Sequence, residues 1–239
     1  MIFYKKLSAI QAMTFDLDDT LYDNGSIIKN ADDALSAFMY QEYPLTQSLQ
    51  KFDWRQIQKE LLTNRPSLQN DMGQLRLQTL EVGFKRLSYT QQQASEAARR
   101  CFEYFYFHRS DFVVDSNIRA VLAKLANKIP LVAITNGNVN IQQIGIADYF
   151  SASFKASLNM PMKPHRAMFD AVQQQLGIAA KNILHVGDNL EKDVYGATRA
   201  GYQTAWYADD RQMKPSAEDI LTLPHVQLQS LNQLLELVF

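Results

Sequence analysis

Short, continuous apolar runs alternate along the chain with longer stretches whose apolar residues recur every three or four positions. The short runs are expected to be buried strands, and they fall at residues 10–16, 130–134, 153–154, 182–186 and 203–207. The periodic stretches are expected to be helices, and they include residues 118–125, 165–176 and 190–200. A final strand and helix are expected within residues 225–238. Short apolar strands separated by helices predict an α/β fold, a parallel sheet with helices on both faces.

A stretch of different character, residues 26–110, lies between the first strand and the rest of the chain. It has few strand signals, and apolar residues recur at helical spacing, as in residues 34–39. Proline and polar breaks divide it into segments that predict a bundle of about four helices. We therefore expect an α/β domain formed by residues 1–24 and 111–239, with an inserted all-helical cap, residues 25–110, placed as a lid.

Composition narrows the class of protein. The chain has 239 residues, with 24 Lys and Arg against 25 Asp and Glu. This near-neutral balance gives no general reason to expect binding to nucleic acid or to an anionic membrane. The apolar stretch from Leu7 to Phe15 is too short to cross a bilayer. Cys101 is the single cysteine, so an internal disulfide is excluded and a reducing compartment is favoured. We expect a cytoplasmic protein, a monomer or a small homo-oligomer.

Polar residues stand at the ends of three predicted strands. Asp16 and Asp18 follow the first apolar run, Thr135 closes the second, and Asp188 follows another. In an open parallel sheet, ligands bind at the carboxyl ends of the strands. Side chains that are far apart in the sequence are therefore expected to converge at one edge of the sheet.

The acidic residues predict a metal site. Asp16, Asp18, Asp188 and Asp193 would bring up to four carboxylates into one cleft, where they would repel one another. A hard divalent cation relieves this repulsion, and Mg²⁺ is commonly held by one or two carboxylates together with substrate phosphate. Zinc is a poorer match, because no pair of cysteines or histidines stands beside these acids.

An anion site is predicted next to the acids. Lys163 supplies a positive charge, and Pro164 is expected to fix the chain as the next helix begins. Thr135 offers a hydroxyl group, while Asn136 and Gly137 offer backbone N–H groups in a turn. A lysine and Mg²⁺ facing such donors form a phosphate site.

The close spacing of Asp16 and Asp18 has a chemical use in a phosphate site. Asp16 can attack phosphorus and form an aspartyl-phosphate. Asp18 can donate a proton to the leaving oxygen and then accept one from the water that hydrolyses the intermediate. The small substrate expected for such a site is a phosphate ester.

Four sequence runs resemble the motifs of the haloacid dehalogenase-like superfamily, in that family's order. The runs are Asp16-Leu17-Asp18-Asp19-Thr20, Thr135 in Ile-Thr-Asn-Gly, Lys163-Pro164, and Gly187-Asp188-Asn189-Leu190-Glu191-Lys192-Asp193. The resemblance covers the whole chain and implies a Rossmann-like α/β core, with a helical cap inserted after the first motif.

The same resemblance implies a role for each motif residue. Asp16 would be the nucleophile and Asp18 the acid/base, while Thr135 and Lys163 would bind the phosphoryl group. Asp188 would ligate Mg²⁺ together with the Asp16 carboxylate and the Asp18 backbone carbonyl. A further acid, Asp193, would support the metal through water or position Lys163.

The runs around Asp16, Thr135 and Asp188 also resemble bacterial phosphatases that act on flavin mononucleotide and on 5-amino-6-(5-phosphoribitylamino)uracil. This resemblance implies a Mg²⁺-dependent phosphatase with a place in riboflavin biosynthesis. A sugar-phosphate mutase, a haloacid dehalogenase and a non-catalytic binding protein stay open as alternatives. Dehalogenation needs neither a metal nor an acid/base at Asp18, and a binding protein should have lost a motif residue.

Several residues also have simpler interpretations. Thr135 could be a turn residue, and Asp193 could complement the dipole of a helix. His185 lies within an apolar strand and is expected to be a satisfied core histidine, while Cys101 is expected to pack inside the helical cap. Charge alone offers candidate anion contacts in that cap, namely Arg76, Lys85 and Arg86.

Overall fold

A computed structural model describes residues 1–215 and 218–238 of the chain. The chain divides into two compact units, one formed by Met1–Gly25 with Phe112–Phe239 and the other by Ser26–Asp111. The first unit is α/β and the second is helical. The predicted fold class, an α/β core with an inserted helical cap, is therefore confirmed. Positions 216, 217 and 239 of the predicted α/β domain lie outside the described residues.

Within the described residues, the α/β unit contains one sheet of seven strands in the order β1-β7-β6-β5-β2-β3-β4. The strands are β1 Ile2–Phe3, β2 Ala12–Phe15, β3 Leu131–Thr135, β4 Ala152–Lys155, β5 Ile183–Gly187, β6 Gln203–Trp206 and β7 Val226–Gln227. Neighbouring strands are parallel, except that β1 is antiparallel to β7. The structure adds one short edge strand, β1, to the strands that the sequence predicts.

The α-helices of the described residues are α1 Asn24–Glu42, α2 Lys51–Asn64, α3 Met72–Arg86, α4 Gln91–Arg109, α5 Ser116–Ala126, α6 Ala167–Leu176 and α7 Gly196–Arg199. Short 3₁₀ segments also occur, at Pro44–Ser48, Pro66–Asn70, Ala147–Tyr149, Ala180–Asn182 and Leu231–Leu237. A π-helical turn, Leu190–Tyr195, leads directly into α7. The helical unit thus contains the four main helices that the sequence predicts.

The central strands are buried along their whole length. Every residue of β2, β3 and β5 is buried, which is why these strands appear in the sequence as continuous apolar runs rather than as alternating patterns. On one side of the sheet, α6 contributes Met168 and Phe169 to the core that contains Val132 and Ile134 of β3. The residues that follow these strands are therefore anchored to a buried, well-packed sheet.

Three local predictions differ from the structure. Helix α6 begins at Ala167, because a turn closed by the His165 N–H on the Met162 carbonyl (3.0 Å) intervenes, so Pro164 does not open the helix. The expected helix at 190–200 begins as the π-helical turn, and the last expected helix is a 3₁₀ segment. Strand β1 escapes prediction because two exposed residues are too few to form a pattern.

The helical unit has its own core. Leu35, Leu80, Phe84, Cys101 and Phe105 are among its buried residues, and the expected packing of Cys101 within the helices is found. The side chains proposed from charge alone as anion contacts each form an ion pair within this unit: Arg76 with Asp32, Lys85 with Glu81, and Arg86 with Glu60.

No helix in the described part of the chain is both long enough and apolar enough to cross a membrane. The cytoplasmic location stays a prediction.

Candidate active site

The strand order explains why distant residues meet. Strand β2 lies between β5 and β3, and all three run parallel. Asp16 follows β2, Thr135 ends β3, and Asp188 follows β5. The Asp16 N–H also donates to the Val186 carbonyl of β5, at 2.9 Å. The three polar positions therefore share the carboxyl edge of the sheet, where ligands bind in folds of this type.

Lys163 forms the central contacts of the site. Its Nζ atom donates to Asp16 Oδ1 at 2.6 Å, to Asp193 Oδ1 at 2.6 Å and to the Ile134 carbonyl at 2.9 Å. An ammonium group has three protons, so these contacts use all of its donors. The side chain is only 1% exposed. Lys163 thus links the acid after β2 to the acid of the π-helical turn.

Asn136 fixes the backbone of Lys163 from the loop after β3. Its Nδ2 donates to the Lys163 carbonyl at 3.0 Å, and its Oδ1 accepts from the Lys163 N–H at 2.8 Å. An asparagine side chain is well suited to this exchange because its amide matches a peptide group. The side chain of Asn136 therefore helps to position Lys163. The sequence predicts only a contact of the Asn136 backbone with phosphate.

Asp193 is enclosed by donors on both carboxylate oxygens. Oδ1 accepts from Lys163 and lies 3.1 Å from His185 Nε2, while Oδ2 accepts from the Asn189 N–H at 3.0 Å. Asp193 packs closely against the end of β5, since a Cβ atom on Gly187 would lie 2.3 Å from Asp193 Cγ. Only glycine leaves room for this side chain at the end of β5.

His185 connects the buried sheet to this cluster. Its Nδ1 lies 2.7 Å from the Thr14 hydroxyl oxygen and its Nε2 faces Asp193. Burial lowers the pKa of His185, more than the opposing contact with Asp193 raises it, so the ring is neutral at pH 7. A neutral ring that donates from Nε2 to the carboxylate and accepts the Thr14 hydroxyl proton satisfies both nitrogens. The expected core histidine is therefore bonded to the site itself.

Asp18 lies beside the loop that follows Thr135. Its Oδ1 accepts from the Tyr22 hydroxyl at 2.6 Å, and its Oδ2 would be 2.4 Å from a Cβ atom on Gly137. The Gly137 N–H donates to Thr135 Oγ1 at 2.9 Å. Asp18 thus faces the same loop as the Thr135 hydroxyl and is half-buried.

Asp19 forms the turn that follows the two acids after β2. Asp19 has a positive φ of 61°, its N–H donates to the Tyr22 carbonyl at 2.9 Å, and its Oδ1 accepts from the Asn24 N–H at 2.8 Å. Aspartate tolerates this left-handed conformation better than most residues. Asp19 is therefore a turn residue.

Asp188 has a different set of partners. Its Oδ2 accepts from Arg211 Nη1 at 3.0 Å, and its backbone carbonyl accepts from Trp206 Nε1 at 2.7 Å and from Arg211 Nη2 at 3.0 Å. One carboxylate oxygen from each of Asp16, Asp188 and Asp193 lies within 4.8 Å of the others. The site therefore brings together three buried acids.

Burial and charge shift the pKa values in opposite directions across this cluster. Burial raises the pKa of Asp16 well above its usual value, and Lys163 only partly offsets the effect. Burial alone would lower the pKa of Lys163, but Asp16 and Asp193 outweigh it and the pKa rises. For Asp193, Lys163 and His185 outweigh burial, so the pKa falls well below its usual value. Lys163 and Asp193 are therefore both charged at pH 7.

Asp188 titrates near neutrality. Burial is the largest cause and the charge of Asp193 adds to it, raising the pKa of Asp188 to about 7, although Arg211 opposes this rise. Three acids thus face two cations, Lys163 and Arg211. The donor set consists of carboxylate oxygens without a nearby thiolate, and such a set fits a hard divalent cation such as Mg²⁺ better than zinc.

The structure brings together Asp16, Lys163, Asp188 and Asp193, with Asp18 in the turn after β2 and Thr135 at the end of β3. Sequence reasoning missed three contributors: Tyr22, Trp206 and Arg211. Tyr22 lies four residues after Asp18, close enough for a turn contact to be considered. Arg211 stands 23 residues after Asp188, outside any motif, and no sequence signal marked it.

The fold and the acidic site together define a hydrolase of the haloacid dehalogenase-like family. The model of haloacid dehalogenase-like hydrolases matches residues 10–201, and the chain belongs to this family. The prediction that the protein is an enzyme of this superfamily is confirmed.

Individual relatives resemble the chain over most of its length. It is 33% identical, over the whole of both chains, to the 5-amino-6-(5-phospho-D-ribitylamino)uracil phosphatase YigB of Escherichia coli strain K12. It is 28% identical to a phosphoglycolate phosphatase of Yersinia pseudotuberculosis, over 82% of this chain and 80% of that one. A solved structure of a 2-haloacid dehalogenase from Pseudomonas syringae pv. Tomato DC3000 is 30% identical, with a TM-score of 0.89 over 95% of this chain and 97% of that one.

We predict that Lys163→Met strongly destabilises the protein at neutral pH. Methionine keeps much of the side-chain volume but leaves Asp16 and Asp193 buried without their shared cation. Breaking a buried ion pair by removing one partner costs about 3–5 kcal/mol. Urea unfolding in chelator measures the loss.

The matched control is Lys124→Met on the exposed side of α5, which should change the free energy of unfolding by about 0.5 kcal/mol or less. Equal stabilities of the two variants would show that the Lys163 contacts contribute little to the fold.

Proposed function

We propose that this enzyme is a Mg²⁺-dependent phosphatase that hydrolyses a small phosphomonoester through an aspartyl-phosphate on Asp16. The observation that carries the proposal is the position of Asp16. It stands at the carboxyl edge of the sheet and is held by Lys163 Nζ at 2.6 Å, two residues before a second carboxylate, Asp18. A fixed nucleophile beside an acid/base is the arrangement that stepwise phosphoryl transfer requires.

In the first step, an Asp16 carboxylate oxygen attacks phosphorus and the bond between phosphorus and the ester oxygen breaks. Asp18, in its acid form, gives its proton to that oxygen, so the alcohol leaves neutral. Lys163 holds Oδ1 of Asp16, which leaves Oδ2 as the attacking atom. Tyr22 donates to Asp18 Oδ1 at 2.6 Å and thereby orients the Asp18 carboxyl group.

In the second step, the Asp18 carboxylate takes a proton from water as the water oxygen attacks phosphorus. The bond between Asp16 and phosphorus breaks, inorganic phosphate leaves, and both acids return to their starting forms. The Thr135 hydroxyl and the N–H groups of the following turn are proposed donors to the phosphoryl oxygens. A direct contact of Lys163 with phosphate stays a prediction, since its donors are engaged by protein acceptors.

Asp16 and Asp188 are the proposed carboxylate ligands of Mg²⁺, with the Asp18 backbone carbonyl as a further oxygen. Bound there, Mg²⁺ would neutralise charge on the transferred phosphoryl group. Asp193 is the less suitable ligand because Lys163, His185 and Asn189 already occupy its oxygens. We assign it the role of positioning Lys163.

The similarity to a 2-haloacid dehalogenase structure makes dehalogenation the second candidate. That reaction also needs a carboxylate nucleophile, but a halide leaves without a proton and without a metal. Asp18, held by Tyr22, and Asp188, which forms the acidic cluster with Asp16, would then have no purpose. These residues favour the phosphatase.

For the substrate, we propose the phosphate ester of a ribitylamino-pyrimidine, which would place the enzyme in riboflavin biosynthesis. The support is the similarity to a phosphatase of 5-amino-6-(5-phospho-D-ribitylamino)uracil over the whole of both chains, so that the helical unit is included as well as the α/β unit. Flavin mononucleotide carries the same ribityl phosphate and is the proposed alternative substrate.

We predict that Mg²⁺ binding weakens as the pH falls below about 7. Asp188 must lose its proton before it can bind a metal, and its pKa of about 7 means that protons compete for this ligand only below that value. The apparent affinity should fall about tenfold per pH unit for one competing proton. Thermal shift with increasing MgCl₂, at constant ionic strength and between about pH 5 and about pH 8, measures this dependence.

Activity should also be lost in excess chelator and return on addition of Mg²⁺. An affinity for Mg²⁺ that is constant across this pH range would contradict the assignment of Asp188 as a ligand, and undiminished turnover in chelator would contradict the metal itself.

We predict that the enzyme releases phosphate from the ribitylaminouracil phosphate with the highest kcat/KM in a panel of phosphomonoesters. The margin over phosphoglycolate should be about tenfold or more, equivalent to about 1.4 kcal/mol of differential transition-state binding. The panel includes flavin mononucleotide and sugar phosphates, with 2-chloropropionate as the dehalogenase substrate. Phosphate, chloride and isomerised sugar phosphate are measured separately.

Two variants control the panel. Asp16→Asn should release no phosphate above background, while Asp170→Asn makes the same chemical change in an exposed ion pair on α6 and should leave turnover unchanged. Phosphate release with a flat substrate profile would reject the substrate and keep the chemistry. Chloride release or an isomerised sugar phosphate as the main product would reject the chemistry.

A further inference from the structure

Arg211 contacts both the side chain and the backbone of Asp188. Its Nη1 donates to Asp188 Oδ2 and its Nη2 donates to the Asp188 carbonyl, each at 3.0 Å. A guanidinium group presents its donors in a rigid planar fork, so a single side chain restrains two groups of one residue. Trp206 Nε1 donates to the same carbonyl at 2.7 Å. Asp188 is therefore held by Trp206 at the end of β6 and by Arg211 in the loop that follows β6.

Arg211 is itself fixed by other acids. Its Nη1 also donates to Asp210 Oδ1 at 2.8 Å, while Nε and Nη2 donate to the two carboxylate oxygens of Glu218 at 3.3 Å. The side chain is one-third exposed. These partners fix the orientation of the guanidinium group toward Asp188, and their negative charges offset its positive charge.

Two roles for Arg211 make opposite predictions. As a counterion alone, Arg211 would compete with a cation for Asp188, and removing it would tighten metal binding. As a clamp, it would hold Oδ2 and leave the second oxygen of Asp188 in a fixed place, and removing it would weaken metal binding. Asp210 and Glu218 already offset the positive charge of Arg211, so removing that charge should change the electrostatic potential at Asp188 only modestly. The loss of the planar fork should therefore have the larger effect on Mg²⁺ affinity.

We propose that Arg211 is a positioning residue that orients the Asp188 carboxylate for Mg²⁺. This inference rests on the proposed function, in which Asp188 is a metal ligand. Residues that hydrogen-bond to metal ligands typically change metal affinity by about 10–100-fold when they are replaced. Arg211 lies outside every motif, so its role depends on the contacts rather than on the sequence pattern.

The test compares Arg211→Lys and Arg211→Gln with the wild type by thermal shift during titration with MgCl₂. Lysine keeps the charge but cannot reproduce the fork, whereas glutamine loses both. Both variants should bind Mg²⁺ about tenfold or more weakly, and kcat should largely recover at saturating Mg²⁺. Arg119→Gln is the matched control, since Arg119 Nε donates to the Val114 carbonyl at 2.9 Å away from the acidic cluster.

The outcomes separate the two proposals. If the wild type gains stability with Mg²⁺ and both Arg211 variants bind it as tightly or more tightly, the positioning role is wrong and the metal site stands. If Arg211→Lys binds Mg²⁺ as the wild type does while Arg211→Gln does not, the positive charge at position 211 supports Mg²⁺ binding and the fork geometry does not. The positioning role is then again wrong. If the wild type itself gains no stability, the metal assignment fails and this inference fails with it.

Discussion

The ammonium group of Lys163 lies between two buried carboxylates, and the arrangement of the site depends on it. Asp16 and Asp193 each approach Nζ to 2.6 Å. Without this cation, burial and mutual repulsion would favour protonated acids. With it, Asp193 stays ionised and Asp16 is fixed at the end of β2. The contact therefore supports both the packing of the strand ends and the orientation of the proposed nucleophile.

The remaining contacts follow from the order of the strands. Because β2 is central, its terminal acid meets residues from the strands on either side. The loop after β3 holds the Lys163 backbone through Asn136, and the turn after β5 carries Asp193, with Gly187 leaving space for it. Asp188 has a separate cation in Arg211. The negative charge of Asp188 is therefore less strongly neutralised by protein groups than that of Asp193, which is consistent with the choice of Asp188 as the metal ligand.

Much of this arrangement could be predicted from the sequence because buried parallel strands appear as apolar runs and their last residues must share an edge. That reasoning located Asp16, Thr135 and Asp188. It could not supply contacts made by residues without a pattern. Arg211 belongs to a loop, and His185 gave only the signature of a buried strand. The start of α6 at Ala167 was also missed, because the Met162–His165 turn depends on a local hydrogen bond that composition does not encode.

The most direct test of the central claim is detection of the covalent intermediate on Asp16. The Asp18→Asn variant is mixed with Mg²⁺ and a phosphomonoester that has a good leaving group, quenched in acid and analysed by peptide mass spectrometry. The account predicts one phosphoryl group on the peptide that contains Asp16, because the second step lacks its base. Phosphate release without any phosphorylated Asp16 peptide at any quench time would contradict it.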